Sequence, residues 1–198
     1  MPERPLRVGV LAIQGGFEAH LEMFRGLGAE VREVRAPEDL EGLDGLVIPG
    51  GESTTIVKGI ESAGLEEAIR AHHGVGRPVF GTCAGMIVCG EDHLGLLDAC
   101  VRRNAFGRQL QSFETDLVVE GIGSEPLRAI FIRAPWVERC GAGVEVLASY
   151  GGHPVAVREG GVLACAFHPE LTDDSRLHAL FMAMATKAHD GATERAGA

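Results

Sequence analysis

Pro78-Val79-Phe80-Gly81-Thr82-Cys83-Ala84-Gly85-Met86-Ile87-Val88-Cys89 is the stretch on which the reading of this chain turns. Pro78–Phe80 is a short apolar run of the kind that forms a buried strand, and it stops at Gly81. Ala84 to about Cys89 reads as a helix. Cys83 therefore lies on a sharp strand-to-helix turn, the arrangement that presents a nucleophile at the top of a sheet. Side chains two residues to either side of such a turn would collide, which accounts for Gly81 and Gly85. At the start of a helix the dipole and free N–H groups favour a thiolate, and the N–H of Ala84 is placed to bind a developing oxyanion. The same spacing also suits a buried structural cysteine beside a tight turn, because free cysteines are commonly buried.

Upstream, Val8–Ile13 is an apolar run ending at Gln14-Gly15-Gly16, and Phe17, Leu21 and Phe24 then recur at helical spacing as far as Gly26–Gly28. Glu30–Val34 and Leu46–Ile48 read as further strands, the latter ending at Pro49-Gly50-Gly51, and Thr54 to His72 as helix broken near Gly64. Short apolar strands alternating with helices indicate βαβ units and a parallel sheet, whose chemistry sits at the carboxyl ends of its strands. Downstream, Phe113–Val119, Leu127–Ile132, Val144–Tyr150, Pro154–Arg158 and Val162–Phe167 are strand-like, with a hairpin turn at Glu159-Gly160-Gly161. The last helix is expected from about Asp174 to Ala188. The fold class is α/β: one domain over residues 1–189, with a mixed, mainly parallel sheet flanked by helices, and a disordered tail at 190–198.

Composition narrows the function. The chain has 198 residues, 45% of them hydrophobic and 23% charged, with a net charge of −10. That is enough chain for one self-sufficient core, and the acidic balance with no basic footprint argues against nucleic acid and anionic membranes. Aromatic residues at 5% offer no stacking platform for single strands. Five cysteines without a C-x-x-C spacing signal neither a metal site nor a disulfide framework, and reduced thiols fit the cytoplasm. Neither a signal peptide nor a membrane-spanning run is expected.

Two further segments supply partners for Cys83. In His168-Pro169-Glu170 the proline pushes His168 out of the helical region, and in an extended segment His168 and Glu170 face the same side. His168 can take a thiol proton, and Glu170 can fix its tautomer. Pro49-Gly50-Gly51-Glu52-Ser53-Thr54 ends a strand with paired glycines that let backbone approach a substrate. It reads as an oxyanion and substrate loop, or as a plain strand-to-helix turn with Ser53 as N-cap.

Together these motifs resemble the class I, triad-type glutamine amidotransferases (flavodoxin-like in fold), and within them the glutaminase subunits of pyridoxal phosphate synthases. The resemblance also runs through Gly9-Val10-Leu11-Ala12-Ile13-Gln14-Gly15, and the narrower likeness rests on Arg103-Asn104-Ala105-Phe106-Gly107-Arg108-Gln109 and Phe131-Ile132-Arg133-Ala134-Pro135. The resemblance implies Cys83 as nucleophile with His168 and Glu170 completing a triad, and an oxyanion hole from Gly50, Gly51 and Ala84. It implies glutamine contacts from Gly51, Glu52, Ser53, Arg103, Ile132 and Arg133; an arginine suits the α-carboxylate of glutamine. It also implies a (β/α)8-barrel synthase partner in a large hetero-oligomer, with no cofactor and no metal on this chain. The segment from Met86 to Leu94 is shorter than that pattern, which predicts a truncated helix or trimmed loop after Cys83. Three other readings remain open on the residues: a glutaminase serving another synthase, a cysteine-elbow hydrolase or chaperone, and a subunit that only binds its partner.

Overall fold

The computed structural model describes residues 4–106 and 112–196, so Gly107, Arg108 and Gln109 of the motif above lie outside the described residues. In chain order the elements are β1 (Arg7–Leu11), α1 (Phe17–Gly26), β2 (Glu30–Val34), β3 (Gly45–Ile48), α2 (Ser53–Ser62), α3 (Leu65–Gly74), β4 (Val79–Thr82) and α4 (Ala84–Cys89). They continue with β5 (Ala99–Arg102), β6 (Ser112–Leu117), β7 (Leu127–Ile132), β8 (Trp136–Cys140), β9 (Glu145–Tyr150), β10 (His153–Glu159), β11 (Val162–Cys165) and α5 (Arg176–Ala196).

Seven strands form one sheet in the order β2-β1-β3-β4-β11-β10-β9. The pairs from β2 to β11 are parallel, and β10 and β9 add on antiparallel. β3, β4 and β11 are buried along their whole length, as continuous apolar strands covered on both faces should be. The chain leaves β1 toward β2 on one side and returns through β3 and β4 on the other. That reversal opens a crevice at the carboxyl ends of the central strands. Two antiparallel ribbons, β5–β8 and β6–β7, stand beside the sheet.

Strand alternation at β4 sorts the layers. Phe80 and Thr82 face α1 and α5: Phe181 of α5 lies with its ring centroid 5.6 Å from that of Phe80 and 5.8 Å from that of Phe24 on α1. Gly81 faces the other way, against α4.

The sequence expectations for β1 to β4, α1, α4, β7 and the β10–β11 hairpin agree with these elements to within a few residues. Three features differ. β5 and β8 are additional strands; they pair as a ribbon whose exposed side is charged, with Arg102 bonded to Glu138, so neither shows clean apolar alternation. α5 runs on to Ala196, through most of the segment read as a disordered tail. Gly191 is its one breaker there, and a single helical glycine costs only about 1 kcal/mol. β6 ends at Leu117 rather than Val119.

Phe181 is fully buried and clamps α5 to the sheet. Phe181→Ala should cost about 3–5 kcal/mol, read as a lower urea midpoint at unchanged m-value. A loss under about 1 kcal/mol would show that the site collapses freely around the cavity.

Candidate active site

Cys83 sits between β4 and α4 with φ 48° and ψ −106°, a left-handed conformation that costs energy for a residue with a side chain. Its backbone N–H donates to the Cys165 carbonyl at 2.8 Å, which ties the turn to β11. The steric demand for the flanking glycines is specific. A Cβ on Gly85 would stand 1.9 Å from the carbonyl oxygen of Ile48, at the end of β3, and one on Gly81 would stand 2.6 Å from that of Gly85. The collisions are thus between backbones, not with the cysteine. Ala84 opens α4, so its N–H has no acceptor within the helix. α4 has six residues and stops at Gly90, as the short Met86–Leu94 segment predicts. The Cys83 Sγ lies 3.8 Å from the Ile132 carbonyl oxygen.

His168 follows β11, and its N–H donates to the Ile130 carbonyl at 2.9 Å. Its backbone is non-helical, as expected before proline, but Pro169–Leu171 forms a 3-10 turn rather than an extended segment. The turn folds Glu170 back under the imidazole. Nδ1 of His168 lies 2.7 Å from Oε1 of Glu170; a carboxylate can only accept, so Nδ1 carries the proton. Burial opposes charge on His168, yet hydrogen bonds to Cys83 and Glu170 and the negative charge of both outweigh it and raise its pKa to about 10. Burial likewise opposes charge on Glu170, but the bond from His168 and the nearness of His20 and His168 hold it below the usual carboxylate range. Gly50 closes the site from β3: a Cβ there would lie 2.5 Å from the His168 ring and 3.2 Å from the Cys83 Cβ.

A cleft of about 240 Å³ opens in front of these groups. Cys83, Ala84 and His168 line it together with Gly51, Glu52, Ser53, Arg103, Ile132 and Arg133, so it gathers every residue proposed from sequence for glutamine contact. Among the described residues the non-glycine positions with positive φ are Cys83, Asn104 and Arg133, and all three line this cleft. Strain of this kind concentrates at functional sites.

The loop after β3 departs from expectation in two ways. Glu52, not Ser53, caps α2: its carboxylate accepts from the N–H groups of Thr54 and Thr55 at 3.2 and 2.8 Å, which with the Thr55 hydroxyl lowers its pKa to about 2. Glu52 also pairs with Arg103 at 2.8 Å, and Arg103 bonds Thr54 Oγ1 at 3.0 Å, so the cation expected to meet substrate is held by an internal partner. The N–H of Gly50 is engaged by Thr82 Oγ1 at 3.1 Å. It is therefore not a free oxyanion donor, which leaves Gly51 and Ala84. The carbonyl of Gly50 accepts from the Gly16 N–H at 3.1 Å, and Gln14 Oε1 accepts from the Glu52 N–H at 2.8 Å. The Gln14–Gly16 loop thus grips the turn at two points.

Sequence reasoning passes over His20, Thr82 and His178, which lie behind Glu170. The signal is present: His20 is on the same helical stripe as Phe17, Leu21 and Phe24, and so faces the sheet.

The comparisons with known proteins accord with this geometry. The SNO glutamine amidotransferase family matches residues 10–187. The chain belongs to that family. Among its relatives, pyridoxal 5'-phosphate synthase subunit PdxT of Thermus thermophilus is 54% identical over 187 residues, 90% of this chain and 97% of that protein. PdxT of Streptomyces avermitilis is 53% identical over 186 residues, 89% of this chain and 92% of that one. A crystal structure of a glutamine amidotransferase superposes with a TM-score of 0.86 at 51% identity, over 90% of this chain and 98% of that chain. A structure of PurLQS from Thermotoga maritima superposes with a TM-score of 0.73 at 15% identity, over 90% of this chain and 98% of that chain; the likeness there is one of fold. The family places this chain among the glutamine amidotransferases, and its sheet is theirs.

The ionisable groups set a pH profile for stability. Burial holds His20, His72 and His178 neutral, lowering their pKa values to about 4, 4 and 3. The unfolded chain takes up their protons as pH falls from about 6.5 toward 4, so stability falls on the acid side, and Glu170 adds to that loss. His168 acts in reverse: its stabilisation is full below about 6.5 and is lost as pH rises toward about 10. Urea midpoints measured from pH 4.5 to 9 should peak near pH 6.5, and Cys83→Ala should flatten the alkaline limb. A midpoint that climbs steadily from pH 6.5 to 9 would contradict a charged His168.

Proposed function

We propose that this chain is the glutaminase subunit of a pyridoxal 5'-phosphate synthase, and that Cys83, His168 and Glu170 hydrolyse L-glutamine to L-glutamate and ammonia. The observation that carries the reading is the meeting of Cys83 and His168 at one cleft, with Glu170 buried behind the imidazole and its carboxylate 2.7 Å from Nδ1 of His168, in a chain of the glutamine amidotransferase family.

The sulfur of Cys83 attacks the side-chain amide carbon of glutamine. The oxyanion that forms is held by the N–H groups of Ala84 and Gly51. His168 protonates departing ammonia and then draws a proton from water, which cleaves the γ-glutamyl thioester and releases glutamate. Glu170 keeps the Nε2 face of His168 toward the sulfur and stabilises the imidazolium. Arg103, with Arg133 beside it, takes the α-carboxylate of glutamine, while Glu52 and backbone carbonyls take its ammonium. Gly51, Ser53 and Ile132 shape the remaining walls. No step calls on a metal or cofactor.

Ammonia then passes to the synthase partner, a (β/α)8-barrel subunit held in a large hetero-oligomer. The names of the PdxT relatives describe them as subunits of that synthase, which supports the pairing. A cytoplasmic setting fits the free thiols of all five cysteines. No helix among the described residues is long and apolar enough to cross a membrane.

Cys83→Ala should abolish glutamate release, measured with glutamine as substrate, while leaving the far-UV spectrum unchanged; pyridoxal phosphate formation by the complex fed ammonium salts should survive. Glutamate release above background would remove Cys83 as nucleophile. Arg103→Ala should raise the KM for glutamine about tenfold to 100-fold, the worth of a charge-assisted contact. An unchanged KM would mean that Arg103 serves only to hold Glu52.

A further inference from the structure

Two histidines that the proposed reaction leaves unused lie directly behind the carboxylate that it uses. His20 on α1 and His178 on α5 are both 0% exposed, set edge-on against Phe80, with His178 also against Phe24. Nδ1 of His20 lies 3.0 Å from Nε2 of His178, and Nε2 of His20 lies 3.0 Å from Thr82 Oγ1. That same Nε2 is 3.4 Å from Glu170 Oε2. The fourth nitrogen of the pair, His178 Nδ1, is buried without a partner.

The orphan nitrogen settles where the protons are. Both rings are neutral, so each carries one N–H. Orphaned buried N–H groups are rarer than bare acceptors, so the proton of His178 is on Nε2 and is donated to Nδ1 of His20. His20 must then carry its own proton on Nε2, within hydrogen-bond distance of Thr82 Oγ1 and with Glu170 Oε2 beside it at 3.4 Å. The electrostatics agree, since the other tautomer would set a lone pair against a carboxylate oxygen. Glu170 Oε1 is taken by His168, whereas Oε2 is buried and has no hydrogen-bond partner; the His20 Nε2 that stands 3.4 Å from it is the polar group facing it.

We propose that His20 is a positioning residue for glutamine hydrolysis: its Nε2–H holds the far oxygen of Glu170, and His178 sets the tautomer that makes this possible. The proposal rests on the triad reading above. It explains why two imidazoles occupy an apolar layer that apolar side chains would fill at no loss of stability. It also joins the two halves of the site, because Thr82 Oγ1 receives both the His20 proton and the Gly50 N–H at 3.1 Å. One buried N–H thus faces the carboxylate behind the general base and the hydroxyl that fixes the glycine turn.

The test is a double-mutant cycle on glutamate release by the full-length chain, with kcat and KM measured separately. His20→Phe should lower kcat on the order of tenfold with the KM for glutamine unchanged, and His20→Gln, whose amide can donate to the same oxygens, should recover most of it. In a Glu170→Gln background, His20→Phe should have no further effect, because its route is already cut. Wild-type kcat in Glu170→Gln would overturn the triad and this proposal together. A crippled Glu170→Gln beside an unimpaired His20→Phe would overturn this proposal alone, as would an equal loss from His20→Phe in both backgrounds. Should His20→Phe not fold, nitrogen-15 spectra of histidine-labelled wild type decide: both buried rings should be neutral with the proton on Nε2, and a proton on Nδ1 of His20 would overturn the assignment.

Discussion

The approach of α4 to the end of β3 governs the rest of the site. Gly85 lies so close to Ile48 that any side chain there would enter its carbonyl oxygen. This contact pulls the first turn of α4 back over the sheet and forces Cys83 into its left-handed conformation. It also brings Gly50, two residues past Ile48, against both Cys83 and His168. A looser packing of α4 would let the turn relax, and the sulfur would lose its place between the glycine loop and the imidazole. Close packing of this kind transmits strain rather than absorbing it, so the strained residue is held by the whole α4–β3–β4 junction.

The charges are arranged so that few of them face bulk water alone. Glu170 is buried, but one oxygen meets His168 and the other faces His20. Arg103 and Glu52 stand half-exposed at the cleft mouth and neutralise each other there. Under the proposed reading, glutamine must displace this pair. A ligand with a carboxylate alone would take Arg103 and leave Glu52 without its cation, whereas an amino acid re-pairs both. Selectivity for the zwitterion then arises from exchange of partners rather than from shape alone.

Legibility from sequence followed the range of the interaction. The strand ends, the turn at Cys83 and the His168-Pro169-Glu170 segment could be read because their physics is local: proline restricts its neighbour, and glycine permits close approach. The parallel core could be read because β3, β4 and β11 are continuous apolar runs. The 3-10 turn at Pro169 could not, since two-residue spacing is met by either conformation once the side chains are free to bend toward each other. The capping role of Glu52 was hidden by Ser53, a better cap by residue type. The pair His20 and His178 was hidden by sequence distance: each alone looks like a polar residue on an amphipathic helix, and only the packing of α1 beside α5 shows them as one unit.

The strand order has a consequence for the growing chain. β4, which leads directly into Cys83, pairs with β3 on one side and β11 on the other. As the polypeptide is made, β1 to β4 can assemble as soon as residues to Thr82 are available. The far edge of β4 then stays open until Cys165 has been synthesised. During that interval a strand that is buried along its whole length in the finished fold presents unpaired N–H and C=O groups, the kind of edge on which chains aggregate. Under the proposed reading the same delay keeps the cysteine inert: His168 and Glu170 follow β11, and His178 comes later still with α5. On that reading the thiol is made first and its base last, and a chain cut short by translation arrest before β11 carries the thiol without the base that would activate it.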